Sequence, residues 1–159
     1  MSSESSTAFR EVTAKRRNLP LVVIAVLSLC GLADAIYLTI EHITGQSVRC
    51  TIVAGCSEVL SSSYAVVGGY PLASIGALAY FTVFSLAILA LFGYRIAGQL
   101  LILLVLAMCL VSLWLIYLQA FVIHAFCQFC LLSAIITFSL TGLVLLLWKA
   151  RTITSPTRI

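Results

Sequence analysis

Four cysteines stand at spacings that suit thiol–disulfide chemistry. Cys127-Gln128-Phe129-Cys130 places two thiols three positions apart, and Cys50 and Cys56 are separated by five residues that include Thr51 and Gly55. If the tetrapeptide opens a helix, its two sulfurs lie within one turn and can share a disulfide. The first sulfur then also meets backbone N–H groups that lack an intrahelical partner, at the positive end of the helix dipole. Both effects favour a thiolate, the species that attacks disulfides. The other readings of these sulfurs are purely structural disulfides or a four-thiolate zinc site. A zinc site would add little to a bundle already held by lipid and packing, so no metal is expected. Cys30 and Cys109 fall in the middle of apolar runs and read as small packing residues.

The elements that position these thiols follow from composition. The chain has 159 residues, of which 62% are hydrophobic and 9% charged. Charged residues make up about a quarter of an ordinary soluble domain, so lipid is the natural solvent. Four apolar stretches, about Leu19–Ile40, Leu72–Phe92, Ile96–Ile123 and Phe126–Trp148, reach the roughly 20 residues that a helix needs to span a bilayer. Helices are expected because backbone polar groups in lipid must pair internally. The expected fold is an all-α integral membrane protein, a four-helix bundle spanning 19–149. Met1–Asn18 forms a polar, mostly disordered tail, and Ala150–Ile159 a second tail.

Orientation follows from the basic residues. A cytoplasmic N-terminus puts Arg10, Lys15, Arg16, Arg17, Arg95, Lys149, Arg151 and Arg158 inside and leaves Arg49 outside, as the positive-inside rule requires. The net charge of +4 therefore reads as a topology signal and not as nucleic-acid binding. Both termini are expected in the cytoplasm. Glu41–Pro71 becomes a long outer loop, with one or two turns of surface helix within Ser57–Tyr64, after which Gly68, Gly69 and Pro71 break the chain before the second span. His124–Phe126 becomes a minimal outer turn. A basic start followed by an apolar run and Ala33-Asp34-Ala35 also imitates a signal peptide, although the run is long for that role.

This topology brings Cys50, Cys56, Cys127 and Cys130 to the outer face. A relay becomes feasible, from the dithiol of a soluble partner to the loop pair and then to the tetrapeptide pair. The final acceptor would be a quinone in the bilayer, met by Cys130, which lies one turn deeper than Cys127. A non-catalytic four-span protein braced by disulfides is the alternative. Asp34 sits inside the first span, where carboxylates are costly and often functional. Asp34 and His124 are candidates to relay the protons that quinone reduction consumes.

The ordered set Cys50, Cys56-Ser57-Glu58-Val59-Leu60-Ser61-Ser62, Gly69-Tyr70-Pro71-Leu72 with Gly76 and Tyr80, and Phe126-Cys127-Gln128-Phe129-Cys130 resembles the prokaryotic members of the vitamin K epoxide reductase family. The resemblance runs from the first span to the last. It implies a four-helix bundle around a quinone, either ubiquinone or menaquinone, near the outer leaflet. It implies that Cys127 and Cys130 form the active pair, with Cys130 facing the quinone, and that Cys50 and Cys56 form the shuttle pair. Cys56 would form the transient disulfide with Cys127, and Cys50 would receive electrons from the partner. Ser62 matches a family serine near the quinone head and is expected to bond it or to orient the loop. Many bacterial relatives carry a fused thioredoxin-like domain. Here the chain ends about ten residues past the last span, so the resemblance implies a separate extracytoplasmic thioredoxin-like partner. Animal members have a tyrosine where this chain has Ala134, which favours simple quinone reduction over epoxide reduction.

Overall fold

The computed structural model describes residues 2–44 and 55–154. Cys50 and Arg49 lie outside the described residues, so the expected role of Cys50 has no structural counterpart here. α1 spans Ser2–Thr44, α2 Cys56–Ser61, α3 Leu72–Leu91, α4 Arg95–Leu118 and α5 Gln128–Thr154. Four stretches are long and apolar enough to cross a membrane: Asn18–Thr44, Leu72–Leu91, Arg95–Ile123 and Gln128–Lys149. The protein is a multi-pass membrane protein. Leu103, Leu110, Phe121 and Leu146 are each about two-thirds exposed, a surface that lipid tolerates and water does not.

α1 packs against α3 and α5, and α4 closes the ring against the same two helices. The links Phe92–Tyr94 and His124–Cys127 are so short that α3, α4 and α5 must alternate in direction. The C-terminal end of α1, all of α2, the N-terminal end of α3 and the junction of α4 with α5 therefore share one end of the bundle. The central core is built from Leu21, Ile24, Ala35, Val83, Ala87, Leu101, Val105 and Leu140, among others. Small residues such as Ala35, Ala87 and Ala97 let the backbones approach, which is how helices associate without a hydrophobic driving force in lipid. Tyr80 is the largest fully buried side chain. Its ring occupies the space that a Cβ on Gly31 would need, so the missing side chain on α1 makes room for an aromatic ring from α3.

Three local features differ from the sequence expectation. Helix α1 begins at Ser2, where a disordered tail was expected. The segment before Pro20 holds no glycine or proline and several good helix formers, Ala8, Arg10, Glu11, Ala14 and Lys15 among them, so it continues the span upstream. The third span does not stay α-helical to its end. Residues Gln119–Ile123 form a π-helical turn, and His124 then adopts a left-handed conformation with φ 54°. Finally, α5 starts at Gln128, two residues later than expected, because the chain from His124 to Cys127 is still turning.

The loop helix has the expected length of one to two turns and opens at Cys56, one residue ahead of the expected range. It ends at Ser61 and passes through a 3-10 turn, Ser63–Ala65, into β1 (Val66–Val67) and β2 (Tyr70–Pro71), which pair antiparallel. Gly68 and Gly69, with φ 60° and 87°, supply the two positive-φ positions that a tight hairpin turn requires.

Candidate functional site

Cys127 occupies the position just before the first turn of α5. Its carbonyl accepts the first helical bond, from the N–H of Leu131 at 3.0 Å. Its side chain sits where a capping oxygen usually sits, and its sulfur accepts backbone N–H groups from Phe129 and Cys130. The thiol of Cys130 also donates to this sulfur. That bond is the largest cause holding the Cys127 thiol down to about 7, with the two backbone donors adding to it. Burial and the negative charge of Asp34 oppose the shift. Cys127 is fully buried, so the helix end and its neighbouring thiol, rather than water, stabilise its thiolate.

Cys56 opens α2 and is 1% exposed. It shares one buried cluster with Val59, Ala125 and Cys127, against which Cys130 and Phe129 also pack. This contact depends on Gly55. A Cβ there would stand 3.0 Å from the Phe126 carbonyl and 3.1 Å from the Ala125 Cβ, and the residue has φ 150°, so both space and backbone conformation demand glycine. Cys56 is engaged in a disulfide, whereas Cys127, Cys130, Cys30 and Cys109 are free thiols. Phe129, inside the tetrapeptide, packs its ring 5.1 Å from that of Tyr37 on α1.

On the far side of Cys130 lies a cavity of about 150 Å³, a volume known to admit a single benzene-sized ring. Its walls come from α1, α3, α4, the π-helical turn and α5, and its roof from α2 and the 3-10 turn. The lining is mainly apolar, with Leu38, Val59, Leu72, Leu115, Ile116 and Ala134 among it. The polar groups at its wall include Asp34, His42, Ser62, Gln119 and Cys130. An apolar pocket with a few convergent polar groups suits a lipid-soluble ring bearing carbonyls, so these residues fit a quinone head.

Asp34 has a buried Oδ2 with no hydrogen-bond partner. Such an oxygen is costly and is available to a proton or a ligand. Ser62 also lines the cavity, but its hydroxyl donates to the Val59 carbonyl at 2.7 Å and so closes the end of α2. That geometry suits the loop-orienting role expected for it better than donation to a ligand.

The structure brings Asp34, Ser62 and Cys130 to one cavity and Cys56 to Cys127. His124 is not among them. It is exposed on the turn and does not line the cavity, because its left-handed backbone serves the corner before Cys127. His42 lines the cavity instead, and sequence reasoning passed it over. The signal was available: Asp34, Leu38 and His42 recur every four residues, on one face of α1. Gln119 was passed over as well. It is 2% exposed, and its Oε1 accepts the Cys127 N–H at 2.9 Å. A polar amide inside an apolar span was the clue to it. The family model described as the vitamin K epoxide reductase family matches residues 22–145, a stretch that contains every site residue named above.

Proposed function

Because the chain belongs to the vitamin K epoxide reductase family, and is thereby a membrane disulfide oxidoreductase, we propose that it oxidises a separate thioredoxin-like protein and passes the electrons to a membrane quinone. The observation that carries this reading is the position of Cys127. On one side it packs with Cys56. On the other it is hydrogen-bonded to Cys130, which lines the apolar cavity.

A partner thiolate attacks Cys50 of a Cys50–Cys56 disulfide, and Cys56 leaves as a thiolate. The partner's second thiolate resolves the mixed disulfide, so the partner departs oxidised and the loop is a dithiol. The Cys56 thiolate then attacks Cys127 of the Cys127–Cys130 disulfide, and Cys130 leaves. Attack of Cys50 on Cys56 restores the loop disulfide and releases Cys127 as the thiolate that the head of α5 stabilises. The disulfide at Cys56 beside free Cys127 and Cys130 matches this last stage. A quinone supplies an acceptor for two electrons and two protons. As the electron pair leaves through Cys130, Cys127 and Cys130 re-form their disulfide. Asp34, at the cavity wall, is placed to take up a proton and pass it to the reduced product. We place both termini in the cytoplasm and the four redox cysteines on the outer side, as the basic residues direct.

The test uses purified protein in detergent, with dithiothreitol standing in for the partner and ubiquinone or menaquinone analogues as acceptors. Wild type consumes quinone, and Cys130→Ser does not. Consumption that survives loss of both Cys127 and Cys130 refutes the assignment. In membranes, Cys56→Ser leaves a Cys50 thiolate that attacks the disulfide of the oxidised partner, and a thioredoxin-fold protein is expected as a mixed disulfide that Cys56 can no longer resolve. Recovery of no such adduct argues against the relay while leaving quinone reduction standing.

A further inference from the structure

Several polar groups around the cavity are already committed. Ser62 donates to Val59. The Tyr80 hydroxyl is held by the Ser133 carbonyl at 3.0 Å, the Ser133 hydroxyl at 2.8 Å and the Thr137 hydroxyl at 3.0 Å. Gln119 is half-committed. Among the described residues its side chain makes one hydrogen bond, from the Cys127 N–H to Oε1 at 2.9 Å.

A backbone N–H can only donate, so this bond decides which end of the amide is oxygen. The Nε2 group is thereby turned to the other side of the amide carbon, in a residue that is 2% exposed and lines the cavity. Its two N–H donors have no protein acceptor among the described residues. Among the described residues Asp34 Oδ2 is the fully buried side-chain polar atom without a partner; Nε2 of Gln119 is unpaired but not sealed off, and the cavity that Gln119 lines is the place where an acceptor can reach it. Gln119 also opens the π-helical turn, a distortion that recurs at functional sites because it re-aims a side chain at the expense of regular helix bonding.

We propose that Gln119 is a ligand-binding and positioning residue: Nε2 donates to a carbonyl oxygen of the quinone while Oε1 holds the backbone of Cys127. This rests on the quinone reading given above. One side chain then sets the distance between the acceptor and the thiol pair that reduces it. The ligand chemistry is a ring carbonyl, whose oxygen gains negative charge as electrons arrive, so the donor acts most strongly as reduction proceeds.

The inference separates from a general packing role by comparing two ligands of one shape. Menadione has ring carbonyls, and methylnaphthalene is the same fused ring without them. Equilibrium binding of each is measured on the oxidised protein, as wild type and as Gln119→Met, which keeps the length of the side chain and removes both hydrogen bonds. Wild type is expected to prefer menadione, and Gln119→Met to lose about tenfold of that preference with methylnaphthalene binding unchanged. Equal weakening of both ligands, or of neither, overturns the proposal. If Gln119→Met does not assemble, the carbonyl stretch of isotope-labelled menadione on wild type decides the matter. A downshift from the free value is expected, and an unshifted band overturns the proposal. Quinone turnover by wild type is a separate readout, so failure of the quinone reading is visible as such.

Discussion

Gly55 meets the backbone of Phe126 so closely that a single added carbon would stand 3.0 Å from the Phe126 carbonyl oxygen. This contact seats the start of α2, and with it Cys56, against the corner that precedes Cys127. Gly55→Ala is expected to lift α2 from that corner. Transfer from the loop pair to Cys127 should slow by roughly 10–100-fold, the cost of misplacing reacting groups by about an ångström. Reduction of Cys127–Cys130 by a small dithiol should be far less affected. Stopped-flow comparison of the two reductants checks this, and equal slowing of both would remove Gly55 from the relay.

The Cys127 thiolate should be half-formed near pH 7. Its population, and the rate of any step in which it attacks, rises with pH through that value and levels above it. Cys130→Ala removes the largest cause of the lowering, so the titration should move to higher pH. Cys130→Ser keeps a hydroxyl donor and should move it less. Ultraviolet absorbance of the thiolate across a pH series reads both. A Cys130→Ala titration identical to wild type would mean that the thiol of Cys130 does not support the thiolate.

Asp34→Asn tests the carboxylate. The charge of Asp34 raises the Cys127 value, so neutralising it should shift the thiolate titration to lower pH. The same variant lacks a group that can release a proton to reduced quinone, and its turnover should fall, most at high pH where free protons are scarce. Faster thiolate formation together with slower quinone reduction would separate the two roles. Unchanged turnover at every pH would leave Asp34 as a packing residue.

Tyr80 ties α3 to α5 and fills the gap opened by Gly31 on α1. Tyr80→Phe should cost about 1–2 kcal/mol by removing the shared hydroxyl. Gly31→Ala should cost about 1–3 kcal/mol by overpacking. Unfolding in detergent followed by circular dichroism measures each, and the combined variant should not be additive, because the two residues touch.

Much of this architecture is written in local patterns. The length of an apolar run decides whether a helix spans a bilayer, and lipid leaves no other backbone form available, so the four spans could be read directly. The spacing of Cys127 and Cys130 is local too, and their place at the head of the last helix followed from where the apolar run begins. Contacts between distant segments were not legible in the same way. Which histidine faces the cavity depends on helical phase at the end of α1 and on the left-handed corner at His124. The fit of Gly55 against Phe126, and the bond from Cys127 to Gln119, arise where two chain ends are forced together by packing. Tertiary structure decided these, because only the packed bundle settles which polar groups meet one another once water is gone.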